Sequence, residues 1–287
     1  MIYTIQNRCL TVQIEDLGAQ LASIRDRQGR EFLWQGSPAS WPRRAPILFP
    51  VIGRLREGTY LLNGEPYQIT NHGFARDCLF EVLGAEGGEA LSFRLTDSPE
   101  TRRVYPFSFA LTVSYRLEEN SLGKAVTVEN RSEEELLYEL GAHDGFLACT
   151  RADSIQVFRK KPGDVEELSL YGMNEESMLT PKDREVSSYL LLTPMTYDRD
   201  TIIFDNPGCA RLSTGRGEVT IQAPDFPYMG VWTPDLAFDP GFVCIEPWSS
   251  LPDGVFMGRE LGEKPGIRRL APGTSETLRY TTIISPA

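Results

Sequence analysis

Apolar and polar residues alternate along several segments of this chain. One such run places Leu10, Val12 and Ile14 on alternate positions, and a second does the same with Phe107, Phe109, Leu111, Val113 and Tyr115. Alternation with a period of two buries one face of an extended segment and leaves the other face in water. Both runs therefore predict strands of antiparallel sheets.

Turn residues separate these runs. Asn63-Gly64 lies between two apolar segments and predicts a tight hairpin, because both residues tolerate a positive φ. Pro272-Gly273 lies within the segment from Leu270 to Ile284, which we expect to form a last hairpin. No segment has the apolar stripe of an amphipathic helix, and 25 Gly and 20 Pro among 287 residues also disfavour long helices.

Many short strands without intervening helices predict an all-β fold, a large antiparallel sandwich and not a βαβ arrangement. The chain has no internal repeat, low-complexity tract or linker-like shift in composition. We therefore expect residues 1–287 to form a single domain, since β-sandwiches of this size occur as single units.

Composition and charge restrict the possible partners. Hydrophobic residues make up 41% of the chain and the formal net charge is −11, so we expect a soluble protein that binds neither nucleic acid nor an anionic membrane surface. No apolar stretch approaches the roughly 18 residues that span a bilayer, and the first residues do not resemble a secretory signal. The remaining class of partner is a small molecule, and the sequence does not indicate an oligomeric state.

The cysteines do not predict a disulfide framework or a zinc ribbon. They are odd in number, widely spaced and without a CxxC pair: Cys9, Cys78, Cys149, Cys209 and Cys244. A reducing cytoplasm is the expected location. GxGxxG, Walker and GxSxG motifs are absent as well, so no nucleotide cofactor and no serine nucleophile is predicted.

Only two histidines occur, and both have small neighbours that would allow a ligand to approach the imidazole. His72 lies in Asn71-His-Gly-Phe-Ala-Arg76 and His143 in Gly141-Ala-His-Asp-Gly-Phe146. Imidazole is the side chain whose ordinary pKa suits proton transfer near neutral pH. Each histidine is a candidate acid or base, and a surface or hydrogen-bonded core histidine is an equal alternative.

Glu246 is a carboxylate within an apolar strand-like run, Phe242-Val-Cys-Ile-Glu-Pro-Trp248. Burial of an unmatched carboxylate is costly, so Glu246 should face a site or a partner. We expect Pro247 to end the strand and Glu246 to lie near the rim of a sheet; the alternative is an edge-strand Glu that faces solvent. His72, His143 and Glu246 could also form a zinc triad, but their wide separation lacks the usual ligand spacing and no metal site is predicted.

The arginines form a basic island in an acidic chain. Arg43, Arg44, Arg54 and Arg56 lie between Glu31 and Glu57, with no acidic residue among them, and Arg76 can join them. Guanidinium groups suit sugar hydroxyls, carboxylates and phosphates, whereas the alternative is a solvated loop.

Six segments resemble, in order, the aldose 1-epimerase (galactose mutarotase) family, in particular its shorter bacterial members. They are Pro46–Arg54, Asn71–Arg76, Gly141–Phe146, Arg199–Phe204, Phe226–Trp232 and Cys244–Trp248. The resemblance implies a galactose mutarotase-like supersandwich with the sugar site on a concave sheet face. It implies an isomerase that needs no cofactor, with Glu246 as general base, His143 as general acid and His72 as a second active-site imidazole.

The same resemblance implies two substrate-binding residues. Arg54 takes the position of a substrate-contacting arginine, with Arg56 as a competitor nearby. Asp200 takes the position of a sugar-binding aspartate, with Asp198 and Asp205 as the other choices. The expected ligand is a sugar or a sugar phosphate.

One departure from the family leaves alternatives open. Family members commonly have Pro after the second histidine, whereas this chain has Asp144. A carboxylate there would raise the pKa of His143 if it faced the imidazole, and would have no effect if it pointed away. The predicted function is interconversion of the α and β anomers of an aldose or aldose phosphate. The alternatives are a sugar-binding or sugar-sensing protein that lacks turnover, and an epimerase specific for phosphosugars.

Overall fold

The fold is described by a computed structural model that covers residues 1–86, 88–148, 153–161, 169–174, 176, 178–180, 189–191, 201–234 and 241–287. Its strands are β1 (Ile2–Gln6), β2 (Leu10–Glu15), β3 (Gln20–Asp26), β4 (Ile47–Leu48), β5 (Thr59–Leu62), β6 (Glu65–Gln68), β7 (Glu81–Glu86), β8 (Ala90–Thr96), β9 (Phe109–Glu118), β10 (Ser121–Asn130), β11 (Leu136–Tyr138), β12 (Gly141–Ala142), β13 (Asp144–Leu147), β14 (Ser154–Phe158), β15 (Ser169–Tyr171), β16 (Tyr189–Leu191), β17 (Ile202–Asp205), β18 (Cys209–Thr214), β19 (Gly217–Gln222), β20 (Tyr228–Trp232), β21 (Phe242–Trp248), β22 (Arg268–Leu270) and β23 (Ser275–Pro286). The helices are α1 (Pro99–Val104) and 3-10 turns at Arg56–Gly58, Ala75–Asp77 and Leu261–Glu263.

The alternating runs are strands, as predicted, except that Phe107 precedes β9. The apolar positions of β2 and β9 are buried, and the positions between them in β2 are partly exposed. The short helix α1 has no counterpart among the predicted elements. Its stability comes from local capping and not from an apolar stripe, because Ser98 Oγ accepts the Thr101 N–H at 3.2 Å and Thr101 Oγ1 accepts the Ser98 N–H at 2.8 Å. None of the helices in the described part of the chain has the length and apolar character needed to cross a bilayer.

One of the two predicted hairpins is confirmed and the other is wrong. β5 and β6 pair around Asn63 and Gly64, whose φ angles are 53° and 83°. At the second site the chain turns near Gly273, whose φ is 69°, but the flanking strands do not pair with each other. β22 pairs with β11, whereas β23 pairs with β10 and β19. A turn reverses the chain locally, and the apolar faces of the strands then select different partners.

Two large sheets dominate the described residues, and every ladder between the named strands is antiparallel. The nine-stranded sheet has the order β16-β14-β18-β19-β23-β10-β9-β8-β7. The seven-stranded sheet has the order β15-β17-β20-β21-β12-β4, with β13 also paired to β21. A shared core includes Phe93 and Val113 from the first sheet and Val243 and Ile245 from the second. This arrangement confirms the predicted antiparallel sandwich.

The seven-stranded sheet has a second face, turned away from this core. In β21, Val243 and Ile245 belong to the main core, so the alternating residues Cys244, Glu246 and Trp248 project to the other side. Trp248 packs there in a smaller apolar cluster with Leu48 and other residues. This second face also carries Trp41, Gly53 and Pro252, from the loops that follow β3, β4 and β21.

Candidate active site

A cavity of about 280 Å³ lies on the second face of the seven-stranded sheet. Its lining includes the four predicted residues that the structure describes: His72, His143, Glu246 and Arg54. Small-molecule sites typically begin near ~300 Å³, so the cavity has the scale of a single sugar ring. The structure therefore brings together residues that are far apart in the sequence.

Glu246 and His143 are in direct contact in this cavity. Nε2 of His143 lies 3.3 Å from Oε1 of Glu246, and the two side chains are 9% and 1% exposed. Backbone pairing between β13 and β21 sets this proximity, because Asp144 lies opposite Ile245 in the register. Glu246 therefore faces a site, as expected, and the alternative of a solvent-facing edge-strand glutamate is wrong.

The expected end of the strand at Pro247 is also wrong. β21 continues to Trp248, and Pro247 lies opposite Met229 in the ladder with β20. On the other side of β21, the ladder is interrupted at His143, between β12 and β13. Pro247 has no N–H to donate to a ladder, and proline is tolerated in a strand beside such an interruption. Glu246 consequently lies inside the sheet and not at its rim.

Aromatic rings enclose the His143 imidazole. Trp41 stacks on it with ring centroids 4.8 Å apart, and Trp232 meets it edge-on at 5.3 Å. Gly145 permits the stack, since a Cβ at that position would lie 2.9 Å from a Trp41 ring atom. Burial, with the Arg76 charge as the next cause, lowers the pKa of His143 from its ordinary 6.5 to about 3. The imidazole is thus neutral at pH 7.

His72 is held from both sides by Gly53. The His72 N–H donates to the Gly53 carbonyl at 2.9 Å, and the Gly53 N–H donates to His72 Nδ1 at 3.1 Å. Nδ1 is therefore an acceptor, and a neutral His72 carries its proton on Nε2. Burial, followed by the charges of His143, Arg76 and Arg43, lowers the pKa of His72 well below its ordinary value. The ring centroids of His72 and His143 are 5.5 Å apart.

The backbone around His72 is unusual. His72 itself has a φ of 62° and the next residue, Gly73, a φ of 72°. A Cβ on Gly73 would lie 2.2 Å from the Phe49 carbonyl oxygen, so only glycine fits there. This close approach turns the chain and directs the imidazole toward the cavity that it lines.

Asp144 points away from His143. It is buried, and its carboxylate accepts a hydrogen bond from the Tyr280 hydroxyl at 2.5 Å and lies 3.5 Å from Lys124 Nζ. The hypothesis that Asp144 raises the pKa of His143 is wrong, because burial dominates and lowers it. The alternative, in which Asp144 faces away, describes the structure.

Arg54 and Arg56 have different surroundings. Arg54 lines the cavity and its side chain is exposed. Arg56 donates from Nη2 to the Met257 carbonyl and does not line the cavity. Between these two candidates, Arg54 has the better access to a ligand.

Arg76 is a second guanidinium in the cavity wall. Its side chain is 14% exposed, and Nη2 donates to the Asn71 carbonyl at 2.5 Å. Nearby, Arg43 binds the Asp77 carboxylate at 2.8 Å. Arg44 donates instead to the Gln35 carbonyl at 3.0 Å and does not line the cavity. The predicted basic island is therefore divided between the cavity and the outer surface.

The predicted aspartate cannot be assigned to the cavity. Asp200 and its alternative Asp198 lie outside the described residues. Asp205 lies in β17 opposite Tyr228, away from the described cavity lining. Thr201, next to Asp200 in the chain, does line the cavity.

Several cavity residues escaped prediction. Trp41 lies in a segment with no periodic pattern, so no sequence signal linked it to His143. Trp248 ends the run that contains Glu246, and its ring fits over two glycines, since a Cβ on Gly141 or Gly230 would lie 2.9 Å from the indole. Cys244 does not line the cavity, but it lies on the same face of β21 as Glu246, because residues two apart in a strand share a face.

Cys244 completes a set of potential metal ligands with His143 and Glu246, whose ligand atoms all lie within 4.8 Å of one another. Burial, followed by the charges of Glu246 and Asp144, raises the pKa of the Cys244 thiol well above its ordinary value.

Comparison with known proteins agrees with the geometry. The family profile described as aldose 1-epimerase matches residues 1–258. The chromosomal LacX protein of Lactococcus lactis subsp. lactis is 29% identical over 301 aligned positions, covering 99% of each chain.

Two solved structures have the same fold along nearly the whole chain. A galactose mutarotase related enzyme from Lactobacillus acidophilus is 30% identical with a TM-score of 0.92, over 99% of this chain and 97% of the other. A galactose mutarotase-like protein from Lactobacillus casei is 27% identical, also with a TM-score of 0.92, over 99% and 100% of the two chains. With His72, His143 and Glu246 gathered in one cavity on a mutarotase-like sandwich, this chain belongs to the aldose 1-epimerase family.

Proposed function

We propose that this protein is an aldose 1-epimerase that interconverts the α and β anomers of a sugar by opening and closing its ring. The observation that carries the proposal is the contact of 3.3 Å between His143 and Glu246 in a cavity of sugar size. A carboxylate and an imidazole at this separation can serve the hydroxyl on C1 and the adjacent ring oxygen O5 of one sugar.

The proposed reaction needs no cofactor, because the protons move only between the sugar, Glu246 and His143. The Glu246 carboxylate takes the proton of the C1 hydroxyl, the C1–O5 bond breaks, and O5 receives a proton from His143. The product is the open-chain aldehyde. Rotation about C1–C2 presents the other carbonyl face, and closure returns the proton from Glu246 to the new C1 hydroxyl and the proton on O5 to His143. Each positioned acid or base typically contributes ~10²–10⁴ in rate.

His143 must take up a proton from the solvent before it can donate one to O5. Burial favours the neutral imidazole, and a neutral imidazole is a weak acid. The Glu246 carboxylate is the group placed to stabilise an imidazolium there. His72 supports the same step, because its Nε2–H can donate a hydrogen bond toward the developing charge while Nδ1 is occupied by Gly53.

We also propose that the sugar carries an anionic group, such as a phosphate. Arg54 and Arg76 both line the cavity in a chain whose net charge is −11. The Arg76→Gln variant tests whether the substrate is an anionic sugar. Relative to the unmodified protein, its kcat/KM should fall more for a hexose 6-phosphate than for the neutral hexose. An equal fall for both sugars would argue for a neutral substrate.

Saturation-transfer NMR of equilibrated hexoses and their 6-phosphates tests the central proposal. We expect the protein to accelerate exchange between the anomeric protons of at least one sugar. A folded protein that binds a sugar in calorimetry but leaves exchange unchanged across this panel would instead support the sugar-binding alternative.

A further inference from the structure

A cluster of buried charged side chains contacts both ends of the Ile52–Arg56 segment, in which Gly53 forms a hydrogen bond with His72. It consists of Lys264, Glu139 and Asp253, here called the Lys264 cluster. Lys264 Nζ lies 3.1 Å from Glu139 Oε1 and 2.7 Å from Asp253 Oδ1. The three side chains are 2%, 0% and 5% exposed, and none of the three residues lines the cavity.

Each carboxylate of the cluster holds one end of the segment from Ile52 to Arg56. Glu139 Oε2 accepts the Ile52 N–H at 2.8 Å, and Asp253 Oδ2 accepts the Arg56 N–H at 3.0 Å. Lys264 therefore joins both ends of this five-residue segment through one ammonium group. Charge-assisted bonds of this kind are stronger than those between neutral groups.

The segment between these two anchors carries the contacts of the site. Gly53 donates its N–H to His72 Nδ1 at 3.1 Å, and Arg54 lines the cavity. Pro252, next to Asp253, packs against Gly53 so closely that a Cβ on Gly53 would lie 2.6 Å from it. A shift of either anchor would therefore move the hydrogen bond that orients the imidazole.

We infer that Lys264, Glu139 and Asp253 are positioning residues, which fix the tautomer and orientation of His72 and the place of Arg54. The consequence for turnover rests on the proposed function, but the consequence for His72 does not. Two buried carboxylates without the ammonium between them would repel each other and release the segment.

The presence of only two histidines in the chain makes a direct measurement possible. In protein labelled with 15N-histidine, each imidazole gives its own pair of nitrogen signals, and His143→Asn identifies those of His72. In the unmodified protein, we expect His72 to show an unprotonated Nδ1 and a protonated Nε2. This signature depends on the Gly53 hydrogen bond and not on catalytic activity.

Lys264→Met removes the ammonium, and Glu139→Gln removes one charge while it keeps an oxygen for the Ile52 N–H. In both variants we expect the His72 signals to move toward a mixture of tautomers, and Lys264→Arg should restore them in part. Where the sugar exchange is measurable, kcat/KM should fall by ~10–100-fold, the scale of a small misplacement of a reacting group.

Lys124→Met is the matched control. Lys124 is equally buried and pairs with Asp144, so its loss removes a buried ion pair elsewhere. The control should lower stability but leave the His72 signals unchanged. The inference is overturned if folded Glu139→Gln and Lys264→Met keep the His72 signature, or if Lys124→Met alters it to the same extent. Should Lys264→Met fail to fold, the Glu139→Gln spectrum decides.

Discussion

Nε2 of His143 lies 3.3 Å from Oε1 of Glu246, and one antiparallel ladder fixes this contact. Asp144 pairs with Ile245, so the side chains of His143 and Glu246 occupy the adjacent position in the register. The His143 N–H faces the opposite side of its strand and donates to the Pro46 carbonyl at 3.0 Å.

Glu246→Gln keeps the size of the side chain and removes the proton acceptor. We expect kcat for anomer exchange to fall by about 10²–10⁴-fold with little change in KM, since only the proton-transfer step is lost. Glu119→Gln is the control, because the Glu119 side chain is 75% exposed. Its kcat for anomer exchange should equal that of the unmodified protein. Equal exchange rates in the two variants would remove Glu246 from the mechanism.

The lowered pKa of His143 makes stability depend on pH. The His143 imidazole binds a proton near pH 6.5 in the unfolded chain, but only near pH 3 in the folded protein. The unfolded state therefore holds more protons between these values, and stability falls as the pH is lowered through this window, by at most about 1.4 kcal/mol per pH unit for one group. Between pH 6.5 and pH 5.0, the free energy of unfolding measured in urea should fall more for the unmodified protein than for His143→Asn. A shallower loss in the unmodified protein would contradict the lowered pKa.

Trp41 shields the His143 imidazole from water. Trp41→Ala should admit solvent and raise the pKa of His143 toward 6.5, because burial is the largest cause of its depression. Trp41→Phe keeps an aromatic ring on the imidazole and should change the pKa less. Titration of the imidazole proton resonances measures both variants, and an identical pKa in each would assign the depression to other neighbours.

Gly230 leaves space for the Trp248 indole. A Cβ at Gly230 would lie 2.9 Å from the ring, so Gly230→Ala should destabilise the protein by about 1–3 kcal/mol through overpacking. A displaced indole would also narrow the cavity and raise KM. Gly215→Ala is the control, since a Cβ there meets nothing within 4 Å. Urea unfolding and the KM for the best sugar substrate check both variants, and equal effects would contradict this packing.

Sequence reasoning predicts the fold well because strand periodicity is local. The runs at Leu10 and Phe109 are strands, and the Asn63-Gly64 turn joins β5 and β6. Partner choice is not local, which explains why the hairpin expected at Pro272-Gly273 does not form. The single domain over residues 1–287 stays a prediction.

The sequence predicts only part of the site. Both histidines and Glu246 stand out because charged or titratable groups are rare in apolar, glycine-framed segments. The direction of Asp144, the anchoring role of Lys264 and the stack of Trp41 depend on packing between distant segments, which no spacing along the chain reveals. The catalytic roles and the contact of Asp200 with a sugar stay predictions.

The position of β23 has a consequence for biosynthesis. This strand, the last one described along the chain, lies in the middle of the nine-stranded sheet, between β19 and β10. The strands on its two sides have no ladder to each other until it inserts. The two halves of this sheet can therefore join only after residues 275–286 of the growing polypeptide have emerged from the ribosome, so strands made much earlier must wait for this one.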